Sequence, residues 1–521
     1  MSNEQNQELE RVTIRRMATG VPGLDEILGG GLPEYSFNMI AGGPGCGKTT
    51  LVHQFVFANA SHERPALYFT ILGEPAVKML RYQQQFTFFD QSKLDGAVRF
   101  INLSQFVLEK DLHAVLEEIV KQVEAYDARI VVVDSFRTVV RRAQATATEA
   151  ELQGFIQRLA LHLTSWQATS FLIGEYAEGE IRDNPVFTVA DGLFWLYQSV
   201  ERNSMVRKMQ IMKMRGQESI PGLHTFRITQ AGLQTFPRTL GLAQESGHVK
   251  GRRRISTGVP GLDELMGGGI PEFNSLLVAG PSGSGKSIMA SQFIAEGLRQ
   301  SEPGVVVIFE ELPADFMNRA ALIGLDFDAP QKDGTLKVIY IRPLDLSVDE
   351  TVHEIVRAVK QVGAQRVMLD SLVGFEMALA PDFRHEFRES LYRMIAALTR
   401  LGVTVLSTVE VEENFTSMGL SNFAISFLAD DIVRLRYVSI NGQQRKMLLV
   451  VKMRGSEHSI DMTEYSVTGK GMIIGEPLRG YQGLTSGIPG PWPSVSGESV
   501  PDPRRASPRK MPPKAKEGPH E

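Results

Sequence analysis

GGPGCGKT at residues 42–49 and GPSGSGKS at residues 280–287 both fit the pattern G-x-x-x-x-G-K-[ST]. Each follows a short apolar run, FNMIAG (37–42) in the first case, and opens a segment of helical period. Strand, glycine-rich turn and helix in that order make a phosphate cradle. The glycines let successive backbone N–H groups turn inward, and the helix N-terminus adds partial positive charge. The lysine reaches the β- and γ-phosphates, and the hydroxyl after it stands where Mg²⁺ needs a ligand. Gly43, Gly45, Cys46, Gly47, Lys48, Thr49 and Thr50 are the expected contacts of the first loop. Ser282, Gly283, Ser284, Gly285, Lys286, Ser287 and Ile288 are those of the second. ATP and Mg²⁺ are the expected ligands, with Thr49 and Ser287 on the metal.

Outward from the loops, the chain repeats itself. TGVPGLDEILGGGLPE (19–34) and TGVPGLDELMGGGIPE (257–272) precede the loops at one spacing, the first threonine of each lying 29 residues before its loop lysine. Downstream, VVVDS and VMLDS put Asp134 and Asp370 at the ends of apolar strands, where a carboxylate holds the hydration shell of Mg²⁺. "KMRG" recurs at 213–216 and 452–455. A duplicated domain explains a long, nearly constant offset; a short-period solenoid does not.

The spacing divides the chain into an extension (1–13), a first nucleotide-binding domain (14–236), a linker (237–253), a second domain (254–486) and a tail (487–521). The linker arginines Arg252, Arg253 and Arg254 read as a solvated junction. The Pro-rich, basic tail is too poor in apolar residues to offset its ordering entropy. In the first domain FNMIAG, ALYFTI (66–71), RIVVVD (129–134) and TSFLIG (169–174) read as strands, with helices over 48–60, 75–86, 110–126 and 147–167. That alternation predicts an α/β fold, a mostly parallel sheet covered by helices on both faces. TVADGLFWLYQSV and SMVRKMQIMKMRG are expected to add antiparallel strands at its edge.

The halves differ after their second strand. VVVIFEELP places Glu310 and Glu311 at a strand end in the second half, suited to activating an attacking water or hydroxyl. The first half has LYFTILGEP, with Leu72 and Gly73 in those places and Glu74 one residue late. A one-residue slip turns a side chain to the other face, so weak hydrolysis is expected there. Lys213 with Arg215, and Lys452 with Arg454, alternate so that each pair faces one side, fit for a γ-phosphate held by a neighbouring subunit.

The 521 residues are 43% hydrophobic and 22% charged, with net charge −5 and one cysteine. These are globular values; they supply no global attraction to nucleic acid or anionic membrane and fit a reducing cytoplasm. A nucleic-acid motor is disfavoured on charge, and a scaffold that uses ATP only to assemble is the other alternative.

The paired TGVPGLDE segments, phosphate loops, strand-end aspartates and KMRG strands together resemble the KaiC family of tandem RecA-like P-loop ATPases, over roughly residues 14–480. The resemblance implies a homohexamer of two stacked rings. ATP would lie at subunit boundaries, completed by Lys213 and Arg215, or Lys452 and Arg454, of the next protomer. It implies slow ATP hydrolysis, Glu310 as general base and as a residue of the metal site with Ser287, and Ser/Thr autophosphorylation in the C-terminal ring. It also implies a signalling or timing role of the circadian-clock kind, read by regulatory partner proteins. The family's phosphorylated pair is an adjacent Ser-Thr, but SNFAISFLADDIVRLRYV (421–438) offers Ser426 followed by Phe427. A phenyl ring carries no hydroxyl, so the expectation narrows to Ser426, with Ser421 second.

Overall fold

The computed structural model describes residues 13–71, 76–146, 148–181, 184–201, 204–238, 253–341, 347–378, 387–411, 429–482 and 490–491. Each half is built on one nine-stranded sheet. The first comprises β1 (Phe37–Gly42), β2 (Ala66–Thr70), β3 (Val98–Asn102), β4 (Ile130–Asp134), β5 (Thr169–Glu175), β6 (Gly192–Glu201), β7 (Ser204–Met214), β8 (Leu223–Thr229) and β9 (Gly232–Phe236). Their order is β3-β2-β4-β5-β1-β6-β7-β8-β9. The second sheet has β10 (Ser275–Gly280), β11 (Gly304–Ile308), β12 (Leu336–Tyr340), β13 (Arg366–Asp370), β14 (Thr404–Glu410), β15 (Asp431–Ile440), β16 (Gln443–Met453), β17 (Thr463–Thr468) and β18 (Gly471–Pro477). It repeats the same order nine places on, β12-β11-β13-β14-β10-β15-β16-β17-β18.

The expected strands form where the apolar runs stand, because side chains on both faces are covered. In the first sheet Met39, Leu67, Val131 and Leu172 join one core cluster, while Ile40, Tyr68, Val132 and Ile173 join another on the opposite face. Period-two alternation therefore sends one apolar run to two helical layers. The helices that bear on the site are α1 (Lys48–Asn59), α2 (Ala76–Gln83), α3 (Leu112–Tyr126), α4 (Phe136–Thr146) and α5 (Glu149–Ser165). Those of the second half are α6 (Lys286–Arg299), α7 (Val348–Val362) and α8 (Leu372–Ala378). Asp111 starts α3 by accepting from Ala114 N (2.9 Å), and Thr148 with Glu151 forms a capping box on α5.

One expectation is corrected. TVADGLFWLYQSV does not add an antiparallel strand, since its strand β6 runs parallel to the phosphate-loop strand β1. Antiparallel pairing begins one strand later, between β6 and β7. The hairpin between those two strands sets the direction, and it lies after the segment in question.

The repeated TGVPGLDE segment is a structural brace. Asp25 Oδ1 accepts from Thr19 N (2.8 Å) and Asp263 Oδ1 from Thr257 N (2.8 Å), closing the same turn twice. Gln54 of α1 donates to Gly20 O (2.9 Å) and accepts from Leu233 N (2.7 Å); Gln292 of α6 does likewise with Gly258 O (3.3 Å) and Met472 N (2.7 Å). The brace, the phosphate-loop helix and a late sheet strand are thereby fixed to one another. The halves meet where the antiparallel end of the first sheet packs on α7. Val206 joins a core cluster of the second half, Phe236 lies against His353 (5.6 Å), and Arg227 Nε pairs with the buried Glu350 (2.5 Å). Among the described residues no helix is long and apolar enough to cross a membrane.

Candidate nucleotide-binding sites

Both phosphate loops lie at the C-terminal ends of their sheets' central strands, β1 and β10, where an open parallel sheet forms its ligand crevice. Gly47 (φ 100°) and Gly285 (φ 99°) initiate α1 and α6 in the left-handed region, which a side chain would strain. Lys48 Nζ donates to Gly43 O (2.6 Å) and Gly42 O (3.1 Å), and Lys286 Nζ to Pro281 O (2.8 Å). Cys46 does not face the crevice: its buried Sγ donates to Gly43 O (3.0 Å), as Ser284 Oγ does to Pro281 O (2.8 Å). Burial raises the Cys46 thiol pKa, so this side chain closes the loop and only its backbone is left for phosphate. Ile288 likewise packs on the core, leaving its N–H as the useful group.

A cavity of about 460 Å³ opens at the first loop, with Lys48, Thr49, Asp134, Arg137, Arg141 and Glu175 among its lining residues. Thr50 also borders it. Thr49 Oγ1 donates to Asp134 Oδ2 (3.0 Å), and Tyr68 OH donates to the same oxygen (2.8 Å). A hydroxyl and a carboxylate so placed are the hard oxygen donors Mg²⁺ takes, so the residues present fit the metal. Burial raises the Asp134 pKa; the Tyr68 and Thr49 hydrogen bonds and Lys48 oppose it. In the second half Asp370 Oδ1 instead accepts from Thr408 of the neighbouring strand. The Asp134–Ser135 and Asp370–Ser371 peptide bonds are both cis.

The glutamates at 310 and 311 part company. Glu310 Oε1 accepts from Ser371 Oγ, directly after the strand-end Asp370, and its charge is felt at Lys286. Glu311 turns to Arg319 (Nε–Oε2 3.4 Å), so the structure brings Glu310 to the loop and holds Glu311 in an ion pair. Glu310 lies over Gly374, where an added Cβ would meet its Cγ at 2.8 Å and Oε1 at 2.9 Å. The first half has Thr138 at that position. Leu72, Gly73 and Glu74 lie outside the described residues, as do Arg252, Ser421, Ser426 and Phe427.

The KMRG cations lie far from their own loops. Met214 pairs with Gly192, and Gly192 with Asn38 at the N-terminal end of β1. The loop begins at the other end, about 13 Å along the strand at roughly 3.3 Å per residue. The same register, Met453 to Asp431 to Leu276, holds in the second half. Within the chain Lys213 donates to Thr188 O (2.9 Å) and Arg215 pairs with Asp191 (3.1 Å). Lys452 donates to Ala429 O (2.8 Å) and Arg454 pairs with Asp430 (3.1 Å). Of the other arginines, Arg253 binds Glu302, and Arg254 donates to Gly269 O (2.9 Å).

Sequence reasoning missed three features. Glu175 and Glu410 end β5 and β14, in register with the first loop glycines Gly42 and Gly280. Burial lowers the Lys286 pKa, and Glu410, Asp370 and Glu310 pull it back up. Their duplicated strand-end position was a usable signal. Tyr68 was hidden in an apolar run, and Arg137 with Arg141 in a helix that the strand–helix pattern did not separate.

A family model described as "ATPase: KaiC" matches residues 17–239 and again 255–479. The chain belongs to the KaiC family of ATPases. Among its relatives are the circadian clock oscillator protein KaiC 1 of Synechocystis sp. (29% identical, 94% of each chain) and KaiC of Picosynechococcus sp. (28%, 91% of this chain and 92% of the relative). KaiC of Rippkaea orientalis is 28% identical over the same shares. The double match falls on the two sheets, one loop-bearing KaiC unit in each.

Proposed function

We propose that this KaiC-type ATPase is a nucleotide-driven switch, a homohexamer of two stacked rings that binds Mg·ATP in both. Hydrolysis is concentrated in the C-terminal ring, and slow turnover alternates conformations that regulatory partner proteins read. The observation that carries the proposal is the placing of Glu310 against Ser371, within the field of Lys286. Glu310 takes the proton of an attacking water as its oxygen bonds to the γ-phosphorus and the bond to the β,γ-bridging oxygen breaks, giving ADP and phosphate. Lys286 and the loop N–H groups hold the charge that builds on the leaving oxygens. Ser287 and Asp370 (Thr49 and Asp134 in the first pocket) would hold Mg²⁺, which would supply positive charge against the polyphosphate. Where the acceptor is a serine hydroxyl, the same base serves an autokinase step, with Ser426 the first acceptor and Ser421 the second.

Lys452 and Arg454, and Lys213 and Arg215, act in trans. Their place at the far end of the sheet makes them useless to their own loop and presentable to an adjoining copy. Mixing tests this. Lys286→Ala and Arg454→Ala proteins are each inactive alone, and a mixed assembly regains phosphate release at boundaries that pair an intact loop with an intact arginine. No recovery on mixing, in material shown to exchange subunits, sinks the trans assignment. Phosphopeptide mapping with Mg·ATP checks both serines: label absent from Ser426 and from Ser421 removes the autokinase step.

A further inference from the structure

We propose that Arg141 is a phosphate-binding residue of the N-terminal pocket, supplied by the same chain and reaching the γ-phosphate of a nucleoside triphosphate. The inference rests on the reading that this pocket binds nucleotide. Arg137 and Arg141 are one helical turn apart on α4, so they share a face, and both line the cavity with Lys48 and Thr49. Arg137 is committed. It forms two hydrogen bonds to Glu180 (2.8 and 2.7 Å), lies over the Tyr176 ring (4.9 Å) and contacts Glu175 O. Arg141 has no hydrogen bond or ion pair among the described residues, and its charge is felt only at the already paired Glu180.

The second pocket has the opposite character. Its Lys286 stands in the field of three carboxylates, Glu410, Asp370 and Glu310. The positions matching Arg137 and Arg141 are Val373 and Met377. The first cavity has two carboxylates, Asp134 and Glu175, against three cations. Where Glu310 stands over Gly374, the first half has Thr138, so a cation-lined wall replaces an acid-lined one. Such a wall suits the holding of a terminal phosphate.

The test uses the full chain with Lys286→Ala, which confines nucleotide to the first pocket, and measures binding of AMPPNP and ADP. Arg141→Gln is expected to weaken AMPPNP by roughly ten- to hundredfold, the range of a charge-assisted hydrogen bond, and ADP less than about twofold. Arg141→Lys restores part of the AMPPNP affinity. Equal losses for both nucleotides, or no loss for either, overturn the role of Arg141 while leaving the pocket a nucleotide site. If the Lys286→Ala parent binds neither nucleotide, the reading of the first pocket fails, and this inference with it.

Discussion

The two halves share a sheet order, a TGVPGLDE brace and a phosphate loop, yet their loops look out on different walls. Asp134 is held by Tyr68 and Thr49, whereas Asp370 is held by Thr408. One pocket has arginines from the following helix; the other has a glutamate folded over a glycine. Duplication preserved the phosphate-loop residues, and divergence acted on the side chains that face them. A fold repeated nearly strand for strand can thus present two different pocket walls through a handful of side chains.

Glu310→Gln should have the greatest effect on the difference between the halves. Phosphate release by the whole chain should fall by roughly 10²- to 10⁴-fold, the span of general-base catalysis. An unchanged rate would place hydrolysis in the first pocket and reverse the division. Gly374→Thr, which copies Thr138 into the second half, should displace Glu310 and lower kcat by about tenfold or more with KM little changed. A proportionate rise in KM would instead mean a damaged nucleotide site. Tyr68→Phe should raise the Mg²⁺ concentration needed for nucleotide binding at the first pocket by roughly tenfold. Val306 stands at the matching position, so the second pocket is the internal control, read in the Lys48→Ala protein.

A separate effect, read on stability and not on turnover, is acid lability. His53 of α1 is fully buried and stacked on Tyr68 (4.6 Å), and neither ring nitrogen has a hydrogen-bond partner; Thr49 exerts a weak opposing pull. Desolvation lowers its pKa from 6.5 to about 3. Below pH 6.5 the unfolded chain takes up a proton that the folded one refuses. The first domain should therefore lose about 1.4 kcal/mol per pH unit until near pH 3. Ser291 occupies the matching place in the second domain, so only the first melting transition should show this slope. His53→Leu should reduce it whatever its effect on Tm at neutral pH, leaving the part due to His224, whose pKa burial also lowers; an unchanged slope assigns the acid lability elsewhere.

Much of the architecture was legible because it is local. FNMIAG became β1 over the same residues, and the lysine, hydroxyl and glycines of both loops act through neighbours in sequence. Strand direction at the sheet edge was not, since TVADGLFWLYQSV has the same alternation whether it pairs parallel or antiparallel. Nor was the fate of adjacent charges. Glu310 and Glu311 are chemically identical, and they part because Ser371 meets the first while Arg319 on the following helix meets the second.

The amino-acid order alone determined two copies of one α/β domain, each with a phosphate loop, because glycine spacing and apolar period are properties of consecutive residues. Tertiary structure decided which charges gather at the loops. Arg366 shows why: an arginine opening a strand became fully buried, its guanidinium tied to Glu302 (2.8 Å), Ser256 O and Phe293 O (both 2.8 Å). Those partners lie 64 to 110 residues away. A charge is defined by what surrounds it, and that is set by contacts the chain makes only after it has folded.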